Sequence, residues 1–303
     1  IKNMENLKNK LIHLKLKPTY EMINIIRHIC LTEFGQNINY NGNIDLFIQN
    51  VENIKRQKIN HYKKQEILKS MPKSGVDIIE LGVPFLDPAG DGPIIENAAK
   101  RAIKNGMNLK KILQMSELFR KENQSTPIIL MGYFNPFLKY GLDKVFLDAA
   151  KSGVDGILIV DLPLEEENEI LPQIKKANLD LIGLIAPTTD EERAKKIAQN
   201  SSGFLYLISM LGITGTKVAN IEENKINLKN LRQSSNLPIS IGFGIKTPDI
   251  AQQFAKIGAD AVVIGSSIVK EIEDGVLTKK NQQEIIENVT LAMADFSKKI
   301  KNI

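Results

Sequence analysis

The sequence predicts an α/β fold of the (β/α)8 TIM-barrel type, in a single domain spanning 1–303 with an atypical amino-terminal region at 1–73. Three observations carry that prediction. From residue 75 onward, short runs rich in Val, Ile and Leu alternate with stretches of helical periodicity, the pattern of right-handed crossovers that build a parallel sheet. Gly-x-Asp recurs at Gly75 to Asp77, Gly153 to Asp155 and Gly258 to Asp260, each time where a helix turns into the next strand, and reads as a glycine C-cap. The apolar runs end in loops of glycine, proline and carboxylate, and that edge is where parallel sheets do chemistry.

The expected strands are Val76 to Gly82, Pro127 to Tyr133, Gly156 to Asp161, Asp180 to Pro187, Gly203 to Met210, Pro238 to Phe243 and Ala261 to Ser266. Between them the spacing predicts helices over Glu96 to Lys104, Lys110 to Lys121, Gly141 to Ser152, Glu165 to Lys176, Asp190 to Asn200, Leu228 to Ser234 and Pro248 to Ile257. Thr189 or Asp190 can cap the helix carrying Glu191 and Glu192, and Thr247 precedes a proline at the first helical position. Seven strands are one short of a closed barrel. The missing strand has to come from before residue 70, where the pattern is poor. Residues 4 to 15 read as an amphipathic helix, Ile23 to Leu31 fits a strand or a helix, Gln36 to Asn43 is an Asn-rich loop, and Leu46 to Ile67 is polar and helix-like.

At 303 residues and 43% hydrophobic, the chain can bury a large core. Its net charge of +5 is spread over lysines that alternate with acids, so it lacks the clustered basic face that nucleic acid requires and suits a small anionic substrate better. The one cysteine, Cys30, admits no intramolecular disulfide and reads as a small buried side chain in a reducing compartment. His13, His28 and His61 show no metal spacing, which removes zinc and Ser-His-Asp chemistry from consideration. No apolar run reaches the roughly 18 residues of a membrane span and no signal-peptide core opens the chain, so a soluble product is expected. The abundance of Lys, Asn and Ile reflects an AT-rich genome.

The chemistry gathers in two places. The run from Asp77 to Pro93 starts as a buried strand and ends in Pro84-Phe85-Leu86-Asp87-Pro88-Ala89-Gly90-Asp91-Gly92-Pro93. Glu80, inside the apolar part, is an acid whose burial disfavours the charged form, which suits a proton shuttle. Asp87 and Asp91 read first as turn residues, and beside Glu80 as carboxylates converging on one pocket. Farther on, Gly212-Ile213-Thr214-Gly215, Gly242-Phe243-Gly244-Ile245 and Gly265-Ser266-Ser267 follow three successive strands. Glycines let backbone N–H groups approach an anion, and a helix N-terminus adds its dipole, so these loops read as a phosphate site.

With those residues assembled, the sequence resembles the tryptophan synthase alpha subunit family. The resemblance lies in Glu80 to Pro93, Leu130-Met131-Gly132-Tyr133-Phe134-Asn135-Pro136, Val160-Asp161-Leu162-Pro163, Ala186-Pro187-Thr188-Thr189, Gly212 to Gly215 and Gly242 to Ile245, in order from about 74 to 272. It implies retro-aldol cleavage of indole-3-glycerol phosphate to indole and glyceraldehyde 3-phosphate. By the same resemblance Glu80 is the general acid and base, Asp91 bonds the indole N–H, and Thr214 orients Asp91. Tyr206 lines the indole pocket, and Gly215, Gly244, Gly265 and Ser266 hold the phosphate. Asp87 and Asn135 face a beta subunit that carries pyridoxal phosphate in an alpha2-beta2 heterotetramer, while the alpha chain needs no cofactor and no metal.

Three positions depart from that pattern: Leu86 and Lys246 stand where the family has serine, and the family's first strand, an apolar run into a Gly-Asp-Pro loop, is not evident. Lys64 to Lys73 resembles the helix that follows that strand, so about 18 to 60 reads as replaced or inserted. Two other readings stay open: a non-catalytic alpha-like chain that activates a beta subunit, and another sugar-phosphate-binding barrel enzyme. The compartment reads as a plastid stroma or a bacterial cytoplasm.

Overall fold

The structure is a computed structural model that describes residues 66–210 and 220–302 and the backbone of 23–29. Its strands are β1 (Ile23–Ile29), β2 (Ile78–Gly82), β3 (Ile128–Gly132), β4 (Gly156–Ile159), β5 (Asp180–Leu181), β6 (Gly183–Ile185), β7 (Leu205–Ile208), β8 (Ile239–Gly242) and β9 (Ala261–Ile264). They form one sheet in the order β5-β4-β3-β2-β1-β9-β8-β7-β6, and every pairing is parallel. The first half of the stretch 180–185 pairs with β4 and the second half with β7. The strand order thus begins and ends on one piece of chain, and eight staves surround a common interior.

The eighth strand is β1. It lies between β2 and β9, with Ile25 opposite Ile78 and Ile23 opposite Ala261. Ile23 to Leu31 is ambiguous in sequence because Asn24, Arg27 and His28 interrupt its apolar residues, whose spacing at Ile23, Ile26 and Ile29 suits a helix while their number and β-branching suit a strand. The strand that had to come from before residue 70 is thus supplied by Ile23–Ile29, without the family's usual apolar run into Gly-Asp-Pro. The helix read at 4–15, the loop at 36–43, most of 46–67, Cys30, His13 and His61 lie outside the described residues.

Side chains alternate between two cores, because successive strand residues point to opposite faces. Ile78, Ile129, Met131, Leu158, Ile182, Phe204, Tyr206, Ala261 and Val263 fill the interior. Ile79, Leu81, Ile128, Leu130 and Val262 turn outward and meet Phe119, Phe146 and Phe254 of the surrounding helices. Each such apolar side chain contributes about 1.5–3 kcal/mol on burial. Glu80, one position from Ile79 and two from Ile78, follows the interior alternation.

The helix boundaries follow local chemistry. Asp190 accepts from Arg193 N and Thr247 from Ile250 N, so of the two candidates at 189–190 the aspartate is the cap. The helix expected at Leu228 to Ser234 begins earlier, at Ile221, where Asn220 accepts from Glu223 N. The helix expected at Glu165 to Lys176 is a 3-10 turn (Leu164–Glu169) followed by a short α-helix (Leu171–Ala177). A twenty-residue helix (Gln282–Lys301) closes the described chain, opened by a capping box between Asn281 and Glu284.

Gly75, Gly153 and Gly258 take φ of 86°, 82° and 97°, as the glycine C-cap requires. The aspartates of the same triplets do more than turn. Arg120 donates to Gly153 O and to Asp155, Arg232 to Gly258 O and to Asp260, and Lys301 to Gly75 O and to Asp77. Asp155 also accepts Ile128 N, and Asp260 accepts Ile239 N, each 2.8 Å away at the start of the neighbouring strand. One cation thus brackets each triplet at the amino-terminal face.

Candidate active site

The opposite face gathers the residues with chemical potential. Glu80 is fully buried on β2 and shares the interior with Tyr206 of β7 and Val263 of β9. The chain then leaves the sheet through Val83 and turns at Pro88, whose carbonyl accepts Asp91 N at 3.2 Å. Tyr133, just past the end of β3, reaches into this turn. Its hydroxyl accepts Gly90 N and donates to Asp91 Oδ2, both at 3.1 Å, while its ring packs against Phe85 at 5.6 Å. A phenol held at both ends fixes the rotation of the Asp91 carboxylate. This partner was missed in the sequence, where Tyr133 stood only as one letter of an apolar-to-Pro motif.

Of the three glycine loops, those after β8 and β9 meet at one cleft, and Gly212 to Gly215 lies outside the described residues. Tyr206, Gly244, Gly265 and Ser266 line one narrow cleft, together with Ile95, Phe243, Ile245 and Val263. Ser266 is the first residue of a twelve-residue helix (Ser266–Leu277), whose N-terminus opens at this edge. Ser267 Oγ donates to Ile245 O at 3.0 Å, tying that helix to the loop after β8. Thr214 and Gly215 lie outside the described residues.

The turn after β8 carries backbone strain. Phe243 has φ of 74° and Gly244 φ of 69°, and a non-glycine residue held there costs about 1–3 kcal/mol. The Phe243 ring meets Tyr206 edge-on at 5.9 Å. Directly beneath, a Cβ on Gly242 would sit 2.0 Å from the Tyr206 hydroxyl, so glycine there is a packing requirement. Ser209, 4% exposed, grips the turn from β7: its N–H donates to Gly242 O at 2.9 Å and its hydroxyl to Phe243 O.

Asp87 and Asn135 are both exposed, away from the cleft lining. Leu86 and Leu138, beside them in sequence, are exposed apolar side chains at 61% and 54%. Among the described residues no three His, Cys, Asp or Glu side chains gather as a metal site would need, and no helix is long and apolar enough to cross a membrane.

A parallel barrel with a carboxyl buried in its interior, and with a carboxylate loop and a glycine-lined cleft at the strand carboxyl ends, is the architecture of a barrel enzyme. The family model for "Tryptophan synthase alpha chain" matches residues 56–301. A tryptophan synthase alpha chain from Caulobacter vibrioides is 43% identical over 236 residues, which are 78% of this chain and 84% of that one. Among solved structures, tryptophan synthase subunit alpha from Legionella pneumophila superposes with a TM-score of 0.78 at 29% identity, covering 100% of both chains. A chain of the tryptophan synthase complex from Pyrococcus furiosus gives 0.70 at 26%, covering 90% of this chain and 97% of that one. The chain belongs to the tryptophan synthase alpha chain family.

Proposed function

We propose that this protein, acting as one barrel domain, cleaves indole-3-glycerol phosphate to indole and glyceraldehyde 3-phosphate in tryptophan biosynthesis. The observation that carries the reading is Glu80, a fully buried carboxyl on a strand whose interior face packs, through Ile78, with Tyr206 and Val263, two residues that line the glycine-rich cleft. The reaction needs one proton placed on indole C3 and one removed from the adjacent glycerol hydroxyl. Glu80 delivers the first and takes up the second, so the enzyme ends as it began. The C–C bonding pair returns to the ring as the hydroxyl oxygen becomes the aldehyde. Asp91, oriented by Tyr133, accepts the indole N–H and steadies the positive charge that C3 protonation puts on the ring.

Gly244, Gly265 and Ser266 supply the phosphate end of the cleft, with Gly215 as a further expected contributor, Thr214 is expected to orient Asp91 alongside Tyr133, and Tyr206 lines the indole end. No step requires a cofactor from this chain. The bacterial relatives support a bacterial cytoplasm, and none of them supports a plastid stroma. Complexes from relatives support a beta subunit as partner, with pyridoxal phosphate there and the alpha2-beta2 assembly as the expected form. The exposed Leu86, Asp87, Asn135 and Leu138 are the surface proposed to meet it. The altered front end is what suggests a non-catalytic activator; β1 supplies the strand expected there, and the family match favours the enzyme reading.

The test is indole release from indole-3-glycerol phosphate by the purified protein, compared with Glu80→Gln at unchanged far-ultraviolet CD. Loss of turnover in the variant supports the role of Glu80, and undiminished turnover overturns it.

A further inference from the structure

The helix that follows β7 (Ile221–Ser234) buries an asparagine that no part of the reaction above uses. Asn224 is 1% exposed. Its Nδ2 donates to Ser209 O and to Asn220 O, each at 2.7 Å, while its buried Oδ1 accepts no hydrogen bond from the described residues. A buried acceptor without a partner is unfavourable, so a side chain that served only to fill space would be better as leucine. What Asn224 supplies is the double donation, which clamps Ser209 to the start of the helix.

Ser209 passes that constraint on. Its hydroxyl donates to Phe243 O, the carbonyl of the peptide that joins Phe243 to Gly244, and its N–H donates to Gly242 O. No peptide bond in the described chain is cis, and in a planar trans peptide the N–H points opposite to the C=O. Holding Phe243 O toward β7 therefore turns Gly244 N–H the other way. Gly244 lines the cleft, and both residues of this peptide sit at positive φ, a conformation Phe243 would leave if it were not held.

We propose that Ser209, braced by Asn224, is a positioning residue that aims Gly244 N–H at the phosphate of the substrate. The inference rests on the lyase reading for the identity of that substrate, and on the cleft geometry alone for the anion. Neither side chain touches the reacting atoms, so the effect falls on binding of the phosphate end.

The test uses Ser209→Ala, Ser209→Thr and Asn224→Leu in the full chain, with calorimetric titration of inorganic phosphate and with the reverse condensation of indole and glyceraldehyde 3-phosphate. Losing one well-aimed hydrogen bond to a charged group corresponds to about a tenfold change. Ser209→Ala and Asn224→Leu are expected to weaken phosphate binding and to raise KM for glyceraldehyde 3-phosphate by about that factor. KM for indole and kcat should stay within about twofold, Ser209→Thr should restore the parent values, and the double variant should lose no more than Ser209→Ala. If Asn224→Leu does not fold, Ser209→Ala carries the decision alone. Unchanged phosphate affinity in folded Ser209→Ala overturns the proposal, as does equal weakening of indole and phosphate, which would mean general loosening. A parent protein that binds phosphate but turns nothing over defeats the lyase reading and leaves the phosphate titration to judge this one.

Discussion

The two ends of this barrel use charged groups in opposite ways. At the amino-terminal face, Asp77, Asp155 and Asp260 are each closed by a cation that also grips the glycine carbonyl two residues earlier. At the carboxyl face, Glu80 lies in the apolar interior, Asp91 accepts from the Tyr133 phenol, and Phe243 is kept at positive φ. Charge is neutralised where the chain must only turn back into the sheet. Carboxyls stand in the interior and the loops where the proposed substrate cleft opens. The difference shows how one fold keeps stability and activity apart by end, and it exposes the two ends to different mutations.

The largest expected effect is on the active face and concerns rate alone. Glu80→Gln removes the proton carrier, worth 10²–10⁴ in typical acid–base catalysis, and relieves a buried acid, so turnover should collapse with no fall in melting temperature. A parallel loss of stability would mean that Glu80 is a structural acid like those at the other end.

Next comes the mirror experiment. Arg120 and Asp155 are 10% and 6% exposed, and burial lowers the arginine pKa while Asp155 holds it up. Arg120→Met leaves that carboxylate buried without its cation, a loss of about 3–5 kcal/mol. Denaturant unfolding should register it, while KM for the folded fraction stays put; a changed KM would show that the two ends are coupled.

Gly242→Ala tests whether crowding rather than charge governs the active face. The new methyl meets the Tyr206 hydroxyl at 2.0 Å and must displace a fully packed ring, an overpacking cost of about 1–3 kcal/mol. Substrate affinity should fall along with stability, and pairing the change with Tyr206→Phe should recover part of both.

Asp180, at the start of β5, sharpens the comparison by pH. Burial raises its pKa, Asp155 adds to the rise, and a hydrogen bond with Ser202 opposes it. The native state therefore favours its protonated form. Stability falls as pH rises from the ordinary aspartate value through the raised one and then levels off. Asp180→Asn should melt higher than the parent at pH 7, with the gain vanishing in acid; a constant gain at all pH values would assign the effect to packing.

The smallest effect is expected for Arg232→Met. It breaks the same bracket as Arg120→Met, but Arg232 and Asp260 are 44% and 27% exposed, where solvent screening leaves about 0–1 kcal/mol. Chemical denaturation of the two variants side by side would separate motif from burial, and equal losses would refute burial as the deciding variable.

Much of this was readable before any coordinates. Seven strands were legible because Val, Ile and Leu runs stop at Gly or Pro, and the caps at Asp190, Thr247 and the three glycines follow from one residue and its immediate neighbours. The phosphate-type loops were legible for the same reason. β1 was not, since the spacing of Ile23, Ile26 and Ile29 suits a helix while their β-branching suits a strand. The final helix was overlooked although Asn281 and Glu284 carry its start signal. The contacts of Tyr133 with Asp91 and of Ser209 with Phe243 were invisible, because the partners lie 42 and 34 residues away.

Sequence alone determined which segments are strands and which residues stand at their carboxyl ends, because period, caps and turn chemistry act over a few residues. It also sufficed to bring Glu80, Asp91 and the glycine loops to one edge, since a parallel sheet sends every strand out the same way. Closure of the ring decided the rest. Only when β1 joins β2 to β9 and the stretch 180–185 joins β4 to β7 does the interior around Glu80 become enclosed. Closure also brings Arg120 to Asp155, Tyr133 to Asp91 and Asn224 to Ser209, because those meetings depend on the curvature of the whole sheet and on no local preference.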